Sequence, residues 1–268
     1  MIINPYIYGV GYDPDAQAFI TATGISGTNA TATNQLVIDL KAANIWTKMK
    51  AIYPMVGATA TTCKFNLKNP VDSNAAFRLT FFGGGTFSAN GYLPNGTNAY
   101  ADTFYTPSVN STLNSSHVSF YSRTNTDAVS IDIGANNLLG GTSGATMLYT
   151  RSTNINYGVI DLYPAIAGDY IQAGNTDSRG FYSLSRTASN LSKSYKNGNV
   201  LSSKTNTGNR STKSIVLSAL NKDSPDQITS FSNRECAFAS IGDGLTDAEA
   251  LAFYNAVQTF NTTLARQV

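Results

Sequence analysis

The sequence predicts an all-β protein, an antiparallel sandwich of two sheets that ends in a helix. Short runs rich in aromatic and β-branched residues recur along most of the chain, separated by Gly-, Asn- and Asp-rich turns at intervals typical of a sandwich. Asn197-Gly198 joins two such runs, and this dipeptide favours the type I′ turn of a β-hairpin. After Thr246 the spacing of the apolar residues changes to that of a helix.

The composition is that of a globular β domain with few charges. Charged residues make up 13% of the 268 residues, against a usual share of about 25%. Fifteen Tyr and thirteen Phe favour half-buried strands and argue against disorder. The net charge is +2 and the basic residues are scattered, so we expect no nucleic-acid interface.

The N-terminal segment, residues 1–33, has turn signals and little hydrophobic periodicity. The stretch GISGTNATATN predicts a flexible segment. We interpret residues 1–33 either as an arm that docks elsewhere or as the lead-in to a domain at residues 34–268. No shift in composition divides that domain further.

A short helix is expected at residues 34–44, before the first strand. Asn34 suits its N-cap, and Asn44 can adopt the left-handed conformation that ends a helix. Trp46 follows, and we assign it to the core. From Trp46 onward the pattern alternates, which indicates a strand.

The remaining elements are predicted from the period of the apolar residues and from the turn and capping residues that bound each run. Strands are predicted at residues 46–53, 61–67, 75–82, 99–105, 117–124, 129–135, 146–151, 157–163, 180–187, 192–203 (a hairpin), 213–220 and 235–242. FFGGGTF (81–87) predicts a tight turn between strands, because it lacks the Lys-Ser/Thr of a phosphate loop. Thr246 and Glu249 form a capping box, and the apolar stripe after them predicts a C-terminal helix packed on a sheet.

The cysteines and the hydropathy of the chain bear on disulfide bonding, membrane insertion and export. Cys63 and Cys236 both lie in apolar runs and are either two buried thiols or one disulfide between strands. No run of 18 apolar residues occurs, so we expect no membrane span. The opening MIINPYIYGVGYDPD lacks the basic and apolar regions of a signal peptide, so we expect synthesis in a cytoplasm without the common export route.

The order of several motifs carries a resemblance to a known family. The motifs are LKAANIWTKMKAIYPMVG, AAFRLTFF, PNGTNAYADTFYTP, HVSFYSRT, SYKNGNV and FASIGDGLTDAEALAFYNAVQTF. Over residues 34–268 the chain resembles the laminin-G-like or concanavalin-A-like jelly-roll proteins of bacteriophage virions. The hairpin from Tyr195 to Gly198 and the helix start from Leu245 to Glu249 are similar to recurrent features of these domains.

The resemblance implies a concanavalin A-like jelly roll in a non-enzymatic virion structural protein. Such a protein would be a head or tail surface, spike, fibre or decoration component that mediates particle assembly or host-surface attachment. It would assemble in the host cytoplasm, with other virion proteins as partners, a host surface glycan as a further partner, and a homo-oligomeric state in the particle. The alternative is a carbohydrate-binding adhesin or receptor-binding protein, and, less favoured, a polysaccharide depolymerase.

The residues give little support to catalysis. Glycoside hydrolysis normally needs a pair of carboxylates, and the only two glutamates, Glu235 and Glu249, lack the spacing of such a pair. Asp132 and Asp161 each stand alone on a predicted strand. The single histidine, His117, has no serine-nucleophile motif to serve and cannot form a histidine metal site by itself. We therefore expect no enzymatic activity and no catalytic residues.

The sequence offers few candidate residues for ligand binding. The predicted loop residues Tyr92 and Tyr105 could stack on a glycan, or else pack turns or contact a neighbouring subunit. No metal site is predicted and no cofactor is expected, although some laminin-G-like domains carry calcium. Asp177, Asp223 and Asp226 are the loop carboxylates that could contribute to one, but they form no recognisable calcium loop.

Overall fold

The computed structural model describes residues 11–137, 143–162, 170–206, 208–223 and 226–268. Three long helices and two single-turn helices lie in these ranges: α1 (Pro14–Thr23), α2 (Gly27–Ala42), α3 (Ala60–Cys63), α4 (Pro107–Asn110) and α5 (Asp247–Thr263). Short 3₁₀ turns occur at Trp46–Lys48 and Asn74–Ala76. None of the described helices is long and apolar enough to cross a membrane.

Two sheets form a sandwich, which confirms the predicted fold class. Within the described ranges, sheet 1 contains β1 (Met49–Tyr53), β3 (Thr86–Ser88), β4 (Gly91–Leu93), β6 (Ser116–Ser122), β11 (Gly180–Ala188), β12 (Leu191–Lys196), β13 (Asn199–Lys204) and β17 (Cys236–Gly242). Sheet 2 contains β2 (Thr80–Phe82), β5 (Tyr100–Asp102), β7 (Ile133–Asn137), β8 (Gly144–Ser152), β9 (Ile155–Leu162), β10 (Ile171–Gly174), β14 (Val216–Leu217), β15 (Leu220–Asp223) and β16 (Asp226–Thr229). The strand pairs are antiparallel, except that β15 runs parallel to β7.

The main core lies between the two sheets. Phe120 and Leu184 enter it from sheet 1, while Leu148 and Ile160 enter it from sheet 2, and none of the four is exposed beyond 1%. Since strand side chains alternate in direction, the residues between these positions point to the outer faces. Each sheet therefore has a second face that must be covered or must meet solvent.

Helices cover the outer face of sheet 1. Phe181 and Phe238 of this sheet pack against Phe253 of α5, with the Phe181 and Phe253 ring centroids 5.2 Å apart and the rings perpendicular. The predicted capping box is confirmed: the Thr246 hydroxyl accepts from the Glu249 backbone N–H, and the Glu249 carboxylate accepts from the Thr246 N–H at 2.8 Å. The predicted C-terminal helix thus forms at its predicted place and packs as expected.

The N-terminal region differs from the flexible stretch predicted over GISGTNATATN. Asp13 caps α1 with Pro14 at its first position, and α2 begins at Gly27 rather than at Asn34. Asn34 lies inside α2, where its side-chain oxygen accepts a hydrogen bond from the Asp13 N–H at 2.7 Å. Both helices bury apolar residues in the same core cluster as α5. The predicted left-handed end of α2 is confirmed at Asn44, with φ of 57°.

The strand predicted at residues 61–67 is wrong. Thr59 and Thr62 form a reciprocal capping box, so that α3 begins where a strand was expected. Local hydrogen bonds from these hydroxyls satisfy the free backbone donors at the helix start and outweigh the weak strand propensity of the run. Asn66, buried after α3, then accepts a hydrogen bond from the Ile52 N–H of β1 at 2.9 Å.

The predicted hairpin at residues 192–203 is confirmed. Asn197 and Gly198 have φ of 51° and 75°, as a type I′ turn requires. The Asn197 side chain also accepts a hydrogen bond from the Phe181 N–H at 2.9 Å, which ties the turn to the neighbouring strand β11. FFGGGTF is also a turn between strands, and it carries the chain from β2 in sheet 2 to β3 in sheet 1.

Candidate functional site

Three partly exposed tyrosines converge on the outer face of sheet 2. Tyr149, Tyr157 and Tyr170, together with Ser152, line a surface cleft of about 220 Å³. We call these four residues the tyrosine cleft. No helix of the described chain is part of its lining, in contrast to the outer face of sheet 1.

Strand register places the tyrosines together. Leu148 points into the core between the sheets, so its neighbour Tyr149 points outward. In the β8–β9 pair Tyr149 lies directly opposite Tyr157, and Met147 lies opposite Val159 one step along the same face. Met147 and Val159 are buried in an apolar cluster against which Tyr149 and Tyr170 pack. Two of the three rings, those of Tyr149 and Tyr170, thus rest on a buried apolar cluster.

The geometry of the cleft is that of a corner rather than a flat platform. The ring centroids of Tyr149 and Tyr157 are 6.1 Å apart, and their planes meet at 71°. Burial, with a smaller contribution from Tyr170, raises the pKa of Tyr149 to about 12. Its hydroxyl therefore stays protonated at neutral pH and can both donate and accept a hydrogen bond. The cleft offers ring surface and hydroxyl groups, of which that of Tyr149 is neutral.

Sequence reasoning missed these tyrosines, although a signal was present. Tyr149 and Tyr157 lie in two runs that were correctly predicted as strands, at residues 146–151 and 157–163. Alternation within each strand, together with the short turn between them, would have placed both rings on one face. The contribution of Tyr170 depends on the long-range arrangement of the chain and had no such signal.

A second cleft lies between the β11–β12 hairpin and the start of α5. It measures about 360 Å³ and is lined by Ser185, Thr187, Lys193, Tyr195, Leu245, Thr246, Asp247 and Ala248. Its charged and aromatic groups already satisfy one another, since the Asp247 carboxylate accepts from the Lys193 ammonium and from the Tyr195 hydroxyl, both at 2.8 Å. Tyr195 is only 2% exposed, so its ring face is not available to a ligand.

The predicted glycan candidates Tyr92 and Tyr105 do not lie on the surface. Tyr92 belongs to β4 and is fully buried beside Phe87, while Tyr105 is 1% exposed and packs edge-on against Phe77. Burial raises the pKa of both hydroxyls, and neither hydroxyl has a hydrogen-bond partner. A sugar at the surface therefore cannot stack on either ring, and their packing matches the structural alternative.

The carboxylates considered for catalysis are held in separate structural contacts. Asp132 forms a buried ion pair with Arg234, and Asp161 accepts a hydrogen bond from the Ser116 hydroxyl at 2.5 Å. The two glutamates have basic partners, with Glu235 on Arg123 and Glu249 on Lys48, each at 2.6 Å.

His117 is buried beneath α5. Its Nδ1 lies 2.6 Å from the Asp243 carbonyl oxygen and its Nε2 lies 3.0 Å from the Ser240 hydroxyl. Burial lowers the pKa of His117 to about 4. The ring is therefore neutral at pH 7 and fixed between these two partners, which is a structural environment.

Other residues singled out in the sequence are either buried or paired with basic side chains. Trp46 is buried, as predicted, and the thiols of Cys63 and Cys236 are both buried and free rather than joined in a disulfide. Asp177 pairs with Arg179, and Asp226 pairs with Lys213. In the part of the chain that the structure describes, no three His, Cys, Asp or Glu side chains cluster as metal ligands would. The expectation of no metal site and no cofactor, with calcium as the alternative, stays a prediction.

The fold and the cleft together define a jelly-roll sandwich domain with an aromatic surface cleft. No protein-family profile and no curated protein matches the sequence. Among solved structures, the CBM40 domain of Ruminococcus gnavus IT-sialidase bound to alpha2,6 sialyllactose is 11% identical, with a TM-score of 0.41 over 53% of this chain and 83% of that chain. Domain 4 of AbnA, a GH43 extracellular arabinanase from Geobacillus stearothermophilus, in complex with arabinotriose, is 15% identical, with a TM-score of 0.43 over 77% and 98%. Likeness at this level does not transfer a ligand to this chain.

Proposed function

We propose that this protein binds carbohydrate, without catalysis, through the tyrosine cleft. The observation that carries the proposal is the convergence of three partly exposed tyrosine rings on one outer sheet face. An aromatic ring covers the apolar C–H face of a sugar, and hydroxyl groups orient the sugar by hydrogen bonds. The tyrosine cleft supplies both kinds of group within one small volume.

The positions of the four carboxylates considered for catalysis support the proposal of binding without catalysis. A general acid or nucleophile must reach the substrate, whereas Asp132 and Asp161 are buried inside the sandwich. Glu235 and Glu249 hold basic side chains. None of these groups lines the tyrosine cleft. Binding without hydrolysis is the chemistry that the cleft supports.

The bacteriophage setting remains a proposal that rests on the sequence resemblance. A glycan-binding domain on a virion would attach the particle to a host surface. The protein would then be both a virion structural protein and a carbohydrate-binding adhesin. Contacts with other virion proteins, a homo-oligomeric state and location in the virion belong to the same proposal. Immunogold microscopy of particles would test it, since label on the head or tail supports the setting and particles free of label oppose it.

A glycan array with the purified chain, followed by titration of any hit, tests the binding proposal. We expect Tyr149→Ala and Tyr157→Ala each to weaken binding about tenfold or more, a change of roughly 1.4 kcal/mol. Tyr100→Ala is the matched control. Tyr100 also points away from the core, since its neighbour Ala101 points inward, and it stacks on Phe82 at 4.8 Å outside the tyrosine cleft. Equal weakening by all three variants, or no binding to any glycan, would oppose the proposal.

A further inference from the structure

We infer that the tyrosine cleft accepts a single, uncharged sugar residue, rather than a stretch of polysaccharide or an acidic sugar. This inference rests on the proposed function and specifies the ligand class of the same site. Three properties of the cleft carry it: the angle between its rings, its volume, and the placement of basic side chains.

The ring angle limits how many sugar residues can stack. Successive residues of an extended glycan need ring faces that lie roughly side by side in one plane. Tyr149 and Tyr157 instead meet at 71° with their centroids 6.1 Å apart. A sugar that stacks on the face of one ring would therefore meet the other ring at its side, and not on a second coplanar face. The pair therefore forms a floor and a wall around one sugar residue.

The volume of the cleft also fits a single sugar residue. The cleft holds about 220 Å³, which is below the range of roughly 300–1,000 Å³ typical of pockets for larger ligands. Tyr170 closes a further side of the cleft and packs on the same apolar cluster as Tyr149. A second sugar residue would project beyond these rings and would gain little contact.

The lining has no positive charge to receive an anion. Among the described residues that line the cleft none is charged, and the hydroxyl of Tyr149 stays neutral at pH 7. Arg151 is the basic residue nearest in sequence to the lining. Its Nη1 donates to Asn125 at 2.9 Å and its Nη2 pairs with Asp127 at 3.7 Å, while its Nε is buried without a hydrogen-bond partner. A carboxylate that lost its water here would find hydroxyl donors but no positive charge among the lining residues, and a desolvated charge without a countercharge is costly.

The neighbouring undescribed segment would not supply the missing charge. Residues 163–169 read YPAIAGD and contain no Lys or Arg. The same holds for the other segments outside the described ranges, so all 18 basic residues belong to the described part of the chain. None of these 18 basic residues lines the tyrosine cleft.

Ligand-observed NMR with the full chain tests both parts of the inference. The first series compares neutral monosaccharides with their own oligomers of increasing length. The second series compares lactose with sialyllactose, and galactose with galacturonic acid, at low and high salt. A response that is lost in the Tyr157→Ala variant and kept in the Tyr100→Ala control arises from the cleft.

We expect monosaccharide and oligomer affinities to agree within about threefold, or roughly 0.6 kcal/mol, and the acidic partner of each pair to bind about tenfold more weakly. Affinity for the neutral sugar should change little with salt, since no ion pair is screened. Affinity that rises tenfold with chain length, or preference for the acidic partner, would overturn the inference and leave carbohydrate binding intact. Absence of any response that Tyr157→Ala removes would overturn the proposed function itself.

Discussion

Arg234 and Asp132 form an ion pair in which neither side chain has any exposure to solvent. The Arg234 Nη1 lies 3.0 Å and 3.1 Å from the two carboxylate oxygens of Asp132. The same guanidinium also donates to the carbonyl oxygens of Thr126 and Ala128. One side chain from the segment before β17 thus fixes the segment that leads into β7.

This arrangement predicts unequal effects of removing the two partners. Arg234→Met should lower the free energy of unfolding by about 3–5 kcal/mol, because it leaves the Asp132 carboxylate buried without a countercharge, held only by the Ser232 hydroxyl and the Thr150 N–H. Asp132→Asn should cost less, because Arg234 retains its carbonyl acceptors. Urea unfolding of the two variants measures the difference. A larger loss for Asp132→Asn than for Arg234→Met would contradict this account.

His117 predicts a loss of stability in mild acid. Its pKa is lowered to about 4 in the folded chain, chiefly by burial, against an ordinary value of 6.5. As the pH falls below 6.5 the unfolded chain binds this proton first, so the folded state loses stability until the pH reaches about 4. The total contribution over this window is on the order of 3 kcal/mol. Unfolding free energies measured from pH 7 to pH 4 will show the slope.

A matched variant isolates the histidine from the carboxylates that titrate nearby. His117→Gln keeps a group able to hydrogen-bond to the Asp243 carbonyl and to Ser240 but removes the titration. We expect this variant to be less stable than the wild type at pH 7 and to lose less stability on acidification. Parallel stability curves for the two proteins would show that His117 does not cause the acid sensitivity.

Elements that depend on nearby residues could be predicted from the sequence. The capping box at Thr246 and Glu249 and the turn at Asn197-Gly198 formed as predicted, because the hydrogen bonds or dihedral angles that specify them are local. The strand prediction at residues 61–67 was wrong because the hydroxyls of Thr59 and Thr62 cap a helix there. The alternating residue pattern that predicts strands does not detect such a cap.

The candidate site was harder to predict, because exposure is decided by long-range packing. Tyr92 and Tyr105 resemble surface tyrosines in the sequence, yet both are buried, with Phe81 of β2 packed on Tyr92 and Phe77 packed on Tyr105. Tyr149 and Tyr157 lie in correctly predicted strands, but only the pairing of β8 with β9 brings them into contact on an outer face. The sequence thus identified the fold class more readily than the surface.

The two cysteines should be inert in the folded protein. Burial raises the pKa of the Cys63 thiol to about 11, and burial also raises that of Cys236. Reaction with a thiol reagent requires the thiolate and access to solvent, so we expect slow labelling of the native chain and two equivalents of rapid labelling after denaturation. Rapid labelling in the native state would contradict the burial, and fewer than two equivalents without reductant would indicate a disulfide.

Asp161 predicts the opposite pH dependence to His117. It is 1% exposed, and burial raises the pKa of its carboxyl despite hydrogen bonds from Ser116 and Thr146. Because the folded pKa lies above the unfolded one, this group favours folding at low pH, and that contribution is lost as the pH rises through the folded pKa. Asp161→Asn keeps an acceptor for the Ser116 hydroxyl and never ionises. Thermal unfolding should therefore show the variant gaining stability relative to the wild type as the pH rises from 4 to 8, while a constant difference across that range would show that Asp161 does not titrate on folding.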